Sequence, residues 1–311
     1  MAINREPPDF GDKTFRVALV NITNACNLKC THCFIYRDGN PNNLRDKMDE
    51  ETLLHQLQVL KDKHGIEFIY LMGGEPMIRK NVVMKAAEIF DKCQIVTNGT
   101  YGIPSLPGQL VTVSLDGPKA MNDPIRGEGV FDNVHESVMA RDPNDGTDVI
   151  VQMVVTRENE SSLEEFIEQV KDWPITGVAF TFYVPTKDDD FSLGWRDLKE
   201  RDPIVQRVIA LKEKHPSLIK ANRGSLELMM SDVAINSTGE NGEKCPLVGN
   251  TLNLYMGDGG EFENTFCCYG NNVDCARCGT YLVFNAAYQQ QKLGDDRVPV
   301  QGVSKAAKGM N

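Results

Sequence analysis

The sequence predicts an α/β protein, built as a partial barrel of parallel strands with a small cysteine-rich extension near its C-terminal end. Three observations support this prediction. Short apolar runs alternate with amphipathic stretches from residue 15 to about residue 184. Hydrophobic residues make up 41% of the 311-residue chain, enough for a full core, and five of the nine cysteines lie between residues 245 and 278.

The strands and helices can be assigned in chain order. Short runs rich in β-branched residues predict six strands, at 15–23, 66–72, 94–98, 111–115, 149–156 and 178–184. Amphipathic stretches predict helices at 49–65, 80–92, 131–140, 161–171 and 203–214. This alternation is typical of a parallel sheet whose functional loops lie at the C-terminal ends of the strands. Six such units favour a partial barrel over a closed barrel of eight.

The pattern divides the chain into five segments. They are a tail (1–14), the barrel core (15–195), a helical connection (196–244), a cysteine-rich domain (245–285) and a polar tail (286–311). Within the fourth segment, TLNLYMGDGGEFE predicts a β-hairpin around a glycine turn.

The charge and hydropathy of the sequence argue against a nucleic-acid partner, a transmembrane helix and a secretory signal. The net charge is −11 and no cluster of basic residues offsets it, so a nucleic acid is a poor candidate. The longest apolar runs are far shorter than the roughly 20 residues of a transmembrane helix. The first residues, MAINREPPDFGDK, lack the apolar core of a secretory signal, so we expect a cytoplasmic protein.

Three cysteines follow the first predicted strand in the string NITNACNLKCTHC. Cys26, Cys30 and Cys33 have C-x3-C-x2-C spacing. Three thiolates do not complete a tetrahedral zinc site, although His32 or a distant residue could supply the fourth ligand. A 4Fe-4S cluster held by three cysteines leaves one iron open, which suits substrate chemistry.

CNLKCTHC after the first strand resembles the signature of the radical S-adenosylmethionine (radical SAM) superfamily. The resemblance implies a TIM-like partial (β/α)6 barrel, with Cys26, Cys30 and Cys33 as catalytic cluster ligands. It also implies that S-adenosylmethionine (SAM) binds the open iron through its amino and carboxylate groups. His32 matches a position near the adenine in this superfamily.

The string MGGEP follows the second predicted strand and resembles the methionine-binding motif of the superfamily. Gly73, Gly74 and Glu75 thereby become expected cofactor contacts. Glycines let the backbone approach a ligand closely, and a carboxylate can accept hydrogen bonds from an ammonium group. An ordinary turn is the alternative reading of the same string.

Polar residues end the next two predicted strands, in TNGT and SLDGP. The resemblance implies that Asn98, Ser114 and Asp116 face the ribose, the methionine carboxylate or the substrate. It also suggests Arg126 as a partner for a carboxylate and Thr156 as a neighbour of the adenine. Simple turn chemistry and a solvated arginine are the alternatives.

A second group of cysteines predicts a second metal site, for either zinc or an iron-sulfur cluster. Its spacing resembles the shortened auxiliary-cluster domains, called twitch or SPASM-like, that follow many radical SAM barrels. We therefore expect one auxiliary 4Fe-4S cluster held by Cys245, Cys267, Cys275 and Cys278, with Cys268 as the substitute for its neighbour.

The resemblance implies reductive cleavage of SAM to methionine and a 5'-deoxyadenosyl radical, with a flavodoxin or ferredoxin-type electron donor. About 14 residues precede the first predicted strand, which favours hydrogen abstraction from a small molecule or lipid over a peptide. The alternatives are radical addition to an alkene, as in adenosylhopene synthase, and maturation of a ribosomal peptide. A sensor or interaction protein that binds iron-sulfur or zinc is the non-enzymatic alternative.

Overall fold

The structure is a computed structural model that describes residues 6–36, 48–257, 259–264 and 272–294. Within these residues one sheet contains eight strands. They are β1 (Val17–Asn21), β2 (Phe68–Met72), β3 (Lys92–Thr97), β4 (Leu110–Ser114), β5 (Asp148–Val155), β6 (Gly177–Phe182), β7 (Thr251–Met256) and β8 (Phe262–Asn264). Their spatial order is β6-β5-β4-β3-β2-β1-β7-β8.

The first six strands confirm the predicted α/β fold with a parallel, partial-barrel sheet. Each pairs in parallel with the next along the chain, from β1 to β6. Because all six run in one direction, their C-terminal ends meet at one rim. The loops that follow β1, β2, β3 and β4 are therefore brought together there.

The described residues also form nine α-helices. They are α1 (Glu50–His64), α2 (Lys80–Ile89), α3 (Lys119–Arg126), α4 (Val130–Met139), α5 (Leu163–Val170), α6 (Leu198–Lys214), α7 (Arg223–Glu227), α8 (Ala234–Thr238) and α9 (Tyr281–Leu293). Five of them match the predicted helices, while α3, α7, α8 and α9 were not predicted. No helix in the described part of the chain is long and apolar enough to cross a membrane.

Helix α1 shows why caps and an apolar face, both visible in the sequence, predicted the crossover helices. Asp49 caps its start by accepting a hydrogen bond from the Thr52 amide at 2.8 Å, and Gly65 ends it in the left-handed region at φ 68°. Leu53 and Leu57 are fully buried against the sheet. Local caps thus set the ends of this helix, and its apolar face packs into the core.

The C-terminal hairpin is confirmed, but its place in the fold was not predicted. β7 and β8 pair antiparallel, from Leu254 with Asn264 to Met256 with Phe262. β7 also pairs in parallel with β1, so the hairpin extends the barrel sheet beyond the first strand. The sequence shows that a strand forms here, but its partner lies more than 200 positions away. The five-segment division of the chain stays a prediction.

Candidate active site

The loop after β1 places three predicted ligands, Cys26, Cys30 and Cys33, on one cavity. All three are half-buried and none forms a disulfide. The Cys33 amide donates to the Cys30 carbonyl at 3.1 Å, which tightens the loop. Burial raises the pKa of Cys26 to about 11 and also raises the pKa of Cys30. These thiols therefore lose their protons as they bind a metal.

The loop after β2 packs directly against the segment that leads into Cys26. The Gly74 amide donates to the Thr23 carbonyl at 2.9 Å, and the next amide donates to the Ala25 carbonyl at 2.8 Å. A Cβ atom on Gly74 would collide with the Ala25 carbonyl and the Tyr36 hydroxyl, and one on Gly73 with the Thr23 carbonyl. Both glycines are therefore required by close backbone contact, and both line the cavity.

Glu75 connects the ends of β2 and β3. Its side chain has no exposed surface, and its oxygens accept from the Met77 amide (2.9 Å), the Thr97 hydroxyl (2.7 Å) and the Asn98 amide (2.6 Å). Burial raises its pKa above the ordinary value. In this geometry Glu75 positions the rim, and its direct contact with a cofactor stays a prediction.

Asp116, His32 and Arg126 form a buried network beside the cysteine loop. The Asp116 Oδ2 atom lies 2.6 Å from His32 Nε2 and 2.7 Å from Arg126 Nε. Its other oxygen accepts from the Val154 amide at 2.9 Å. Burial alone would raise the pKa of Asp116, but the charge of Arg126 and the contact with His32 hold it well below its usual range.

The network also contacts a predicted cluster ligand. Arg126 Nη1 lies 3.9 Å from Cys30 Sγ, and the Ile125 carbonyl accepts from the Thr31 amide at 3.0 Å. His32 and Arg126 line the cavity, whereas Asp116 has no exposed surface. Asp116 thus holds both of these side chains, and its own contact with a cofactor or substrate stays a prediction.

The remaining predicted cofactor contacts, which are Asn98, Ser114 and Thr156, do not all lie on the cavity. Asn98 and Ser114 line the cavity, and Asn98 Nδ2 donates to Asn27 Oδ1 at 2.8 Å. Thr156 is fully buried, and its amide donates to Asn159 Oδ1 at 2.8 Å. A role for Thr156 near the adenine stays a prediction.

The cavity has a volume of about 310 Å³, at the lower end of the usual range for ligand sites. Much of its lining was not predicted. Residues inside the barrel (Tyr70, Gln94, Gln152 and Asn253) and at the start of α9 (Thr280, Tyr281, Leu282 and Val283) belong to it. Period-two alternation along the strands could have identified the first group. The apolar run YLVFNAA could have indicated α9.

The second cysteine group lies beyond the end of β6. Cys245 is buried, and Cys275 and Cys278 are half-buried, while Cys267 and Cys268 lie outside the described residues. No three Cys, His, Asp or Glu side chains among the described residues are placed to hold a single metal ion. The second site and its ligand set stay predictions.

Two arginines, the buried Arg201 and the half-buried Arg277, attach the Cys275–Cys278 segment to the barrel. Arg277 donates to the Thr186 carbonyl at 3.1 Å, and its Nε atom is 2.7 Å from the Asp274 carboxylate. Arg201 of α6 donates to the Cys278 carbonyl at 2.8 Å. Burial lowers the pKa of Arg201 to about 10, so it remains charged at neutral pH. The segment is thereby held against the barrel.

Comparison with known proteins agrees with this geometry. Residues 20–170 match the family model of the radical SAM superfamily. An uncharacterized protein of Archaeoglobus fulgidus is 32% identical over 164 residues, which are 49% of this chain and 38% of that protein. The mycofactocin maturase MftC of Mycolicibacterium smegmatis is 31% identical over 162 residues, 47% of this chain and 39% of MftC. This chain thus spans about two fifths of these curated relatives.

Solved structures share the fold. SuiB of Streptococcus suis bound to S-adenosylmethionine has a TM-score of 0.57 at 13% identity, over 81% of this chain and 63% of SuiB. SuiB has also been solved bound to precursor peptide SuiA. The segment that matches the family model contains the cysteine loop, the Gly73-Gly74 loop and the buried network. Residues 20–170 of this chain are therefore similar to the radical SAM superfamily, and the sheet shares the fold of solved structures such as SuiB.

Proposed function

We propose that this chain reductively cleaves SAM and uses the resulting 5'-deoxyadenosyl radical to abstract hydrogen from a small molecule or lipid. One observation carries the proposal. The three cysteines after β1 and the two glycines after β2 open on the same cavity inside a parallel barrel. Functional groups in such barrels lie at the C-terminal ends of the strands, as these do.

The residues at this rim fit a 4Fe-4S cluster and SAM. The three thiols would ligate three irons of the cluster. Gly73 and Gly74 line the same cavity, and their lack of side chains lets the loop after β2 pack against the segment that leads into Cys26. When bound, the cluster would be held by Cys26, Cys30 and Cys33 and would supply the electron for the cleavage of SAM. A flavodoxin or ferredoxin-type protein is the proposed source of that electron.

Side chains of this chain have three tasks in the proposed reaction. His32 and Arg126 are held in place by Asp116 and present polar groups beside the cysteine loop. Asn98 and Ser114 offer hydrogen bonds on the neighbouring strand ends. Apolar side chains on the opposite wall, including Leu282, exclude water from the reacting groups.

The cavity lining supports a small or lipid-like substrate, because many of its side chains are apolar. A peptide is the second candidate, since SuiB, which shares the fold, has been solved bound to precursor peptide SuiA. Relatives with enzyme names favour catalysis over a sensor role. The comparisons do not favour radical addition to an alkene.

The proposed cleavage can be tested directly. After anaerobic reconstitution with iron and sulfide, the protein is incubated with SAM and dithionite. We expect 5'-deoxyadenosine to form with the wild-type protein but only at background level with Cys30→Ala. Cys93→Ala is the matched control, because Cys93 is buried in β3 away from the cysteine loop and should retain product formation. Equal product from the wild type and Cys30→Ala would refute the proposal.

We also propose that Cys245, Cys267, Cys275 and Cys278 hold one auxiliary 4Fe-4S cluster. Supporting this, the Cys275–Cys278 segment is anchored to the barrel by Arg201 and Arg277. Replacing Cys245 by alanine should therefore lower the iron content of the reconstituted protein by about four atoms per chain. Elemental analysis for iron and zinc provides the measurement. A loss of zinc would indicate a zinc site, and an unchanged metal content would remove the second site.

A further inference from the structure

Four side chains form a row across the inner wall of the barrel, below its rim. The strand register places Asn253 of β7, Leu19 of β1, Tyr70 of β2 and Gln94 of β3 side by side. All four line the cavity. Each lies two or three residues before the end of its strand, which is roughly 7–10 Å at the usual rise per residue. The row therefore forms part of the deep end of the cavity.

Two amide oxygens in this row have no hydrogen-bond partner among the described residues. They are Gln94 Oε1 and Asn253 Oδ1, and both atoms are buried. Gln94 is only 2% exposed, and its Nε2 atom donates to Thr112 Oγ1 at 2.8 Å. This bond fixes the amide and leaves its oxygen as the group offered to a ligand. Buried acceptors without a donor are unfavourable, so two of them on one cavity wall indicate a donor that occupies the space.

The charges of the side chains that line the cavity indicate which kind of donor can bind at the deep end. The described residues that line the cavity include no Asp, Glu or Lys, and Arg126 lies at the rim near Cys30. A carboxylate or phosphate at the row would be buried against two acceptor oxygens and without a counter-charge. An ammonium group would be buried without a carboxylate. An uncharged donor avoids both penalties.

Much of the remaining cavity lining is apolar, although Gln152 and Thr181 also belong to it. One layer above the row, Met72 and Val96 line the wall, and Leu247, Leu254 and Val283 line other parts of it. Such a surface favours the burial of hydrocarbon. The ligand at this end therefore combines an apolar body with one or two uncharged polar groups.

We propose that Gln94 and Asn253 determine substrate specificity as two separate acceptors, each binding an uncharged hydrogen-bond donor, such as a hydroxyl group, of a largely apolar substrate. The inference deepens the proposed function and rests on it, because it assigns the substrate class of the same cavity. It disfavours anionic substrates, such as nucleotides, at the deep end.

The test compares probes that differ in one chemical feature. Calorimetric titrations use the anaerobically reconstituted protein with SAM present, and the probes are 1-octanol, 1-methoxyheptane and octanoate. The ether has the size of the alcohol but lacks a donor, and octanoate adds a negative charge. We expect 1-octanol to bind about 3- to 10-fold more tightly than the ether, the size of one net hydrogen bond, and octanoate to bind most weakly.

Replacing Gln94 and Asn253 by apolar residues of nearly equal size tests whether these two side chains cause the preference for the alcohol. In Gln94→Met the preference for alcohol over ether should fall, and in Gln94→Met/Asn253→Leu it should vanish. Gln58→Met is the matched control, because Gln58 is exposed on α1 and should leave the preference unchanged. Circular dichroism checks the folding of each variant. If the double variant fails to fold, the single variants Gln94→Met and Asn253→Leu decide the proposal, and each should lower the preference.

Three results would overturn the proposal. They are equal binding of alcohol and ether to the wild type, tightest binding of octanoate, or a preference that survives both replacements. These binding results do not depend on SAM cleavage. A failure to form 5'-deoxyadenosine would therefore count against the proposed reaction but not against this substrate class, and the two failures remain distinguishable.

Discussion

Replacing Asp116 by asparagine is expected to lower the free energy of unfolding by about 3–5 kcal/mol, the usual effect of breaking a buried ion pair. Asp116 and Arg126 form such a pair, with side chains 0% and 7% exposed. An asparagine oxygen can still accept from the Val154 amide. It carries no charge, however, so the Arg126 guanidinium would be left buried without its counter-charge.

Anaerobic urea unfolding of the reconstituted protein measures this change. Asp132→Asn is the matched control, because Asp132 pairs with Lys119 at an exposed site where a salt bridge contributes at most about 1 kcal/mol. The double variant Asp116→Asn/Arg126→Met should be less destabilised than the sum of the single variants, since both charges are then removed together. Equal, small effects of Asp116→Asn and Asp132→Asn would contradict the inferred role of the network.

Replacing Gly74 by alanine is expected to disturb cluster binding although no ligand residue is changed. The added methyl group would collide with the Ala25 carbonyl, which is held by a hydrogen bond from the Glu75 amide at 2.8 Å. That carbonyl cannot retreat without losing the bond and moving Cys26, the next residue. We expect a lower iron content after reconstitution and a destabilisation of about 3 kcal/mol, the upper end for overpacking.

Iron analysis and urea unfolding check this expectation. Gly259→Ala serves as the control, because Gly259 has open space where its Cβ would lie and no positive φ. It should match the wild type in both measurements. Normal iron content and stability in Gly74→Ala would show that the two loops are not coupled as the contacts indicate.

Local sequence signals predicted the part of the fold that surrounds the cysteine loop. The β-branched runs of β1 to β6 and the caps of α1 depend on neighbouring residues, so they can be seen in the sequence. The same holds for the position of Cys26, Cys30 and Cys33 directly after β1. Strand direction then brings the loops after β1 to β4 to one rim, as expected for a parallel sheet.

Sequence patterns could not predict the contacts between residues that lie far apart in the chain. β7 pairs with β1, and the start of α9 meets β6 through a hydrogen bond of 3.1 Å from the Tyr281 amide to Thr181 Oγ1. Asp116 and Glu75 were expected to face a ligand. The structure shows that both bind other protein groups supplied by several strand ends at once, while their contact with a ligand stays a prediction.

The sequence by itself predicted the residues at the rim of the barrel. The spacing of the three cysteines and the pair of adjacent glycines can both be seen within short segments of the chain. Only the tertiary structure decided what faces the inside of the cavity. Gln94 and Asn253 look like ordinary polar residues of separate strands until strand pairing places them in one row. Their buried oxygens then become a feature of the fold, since register and burial are set by contacts across the whole sheet.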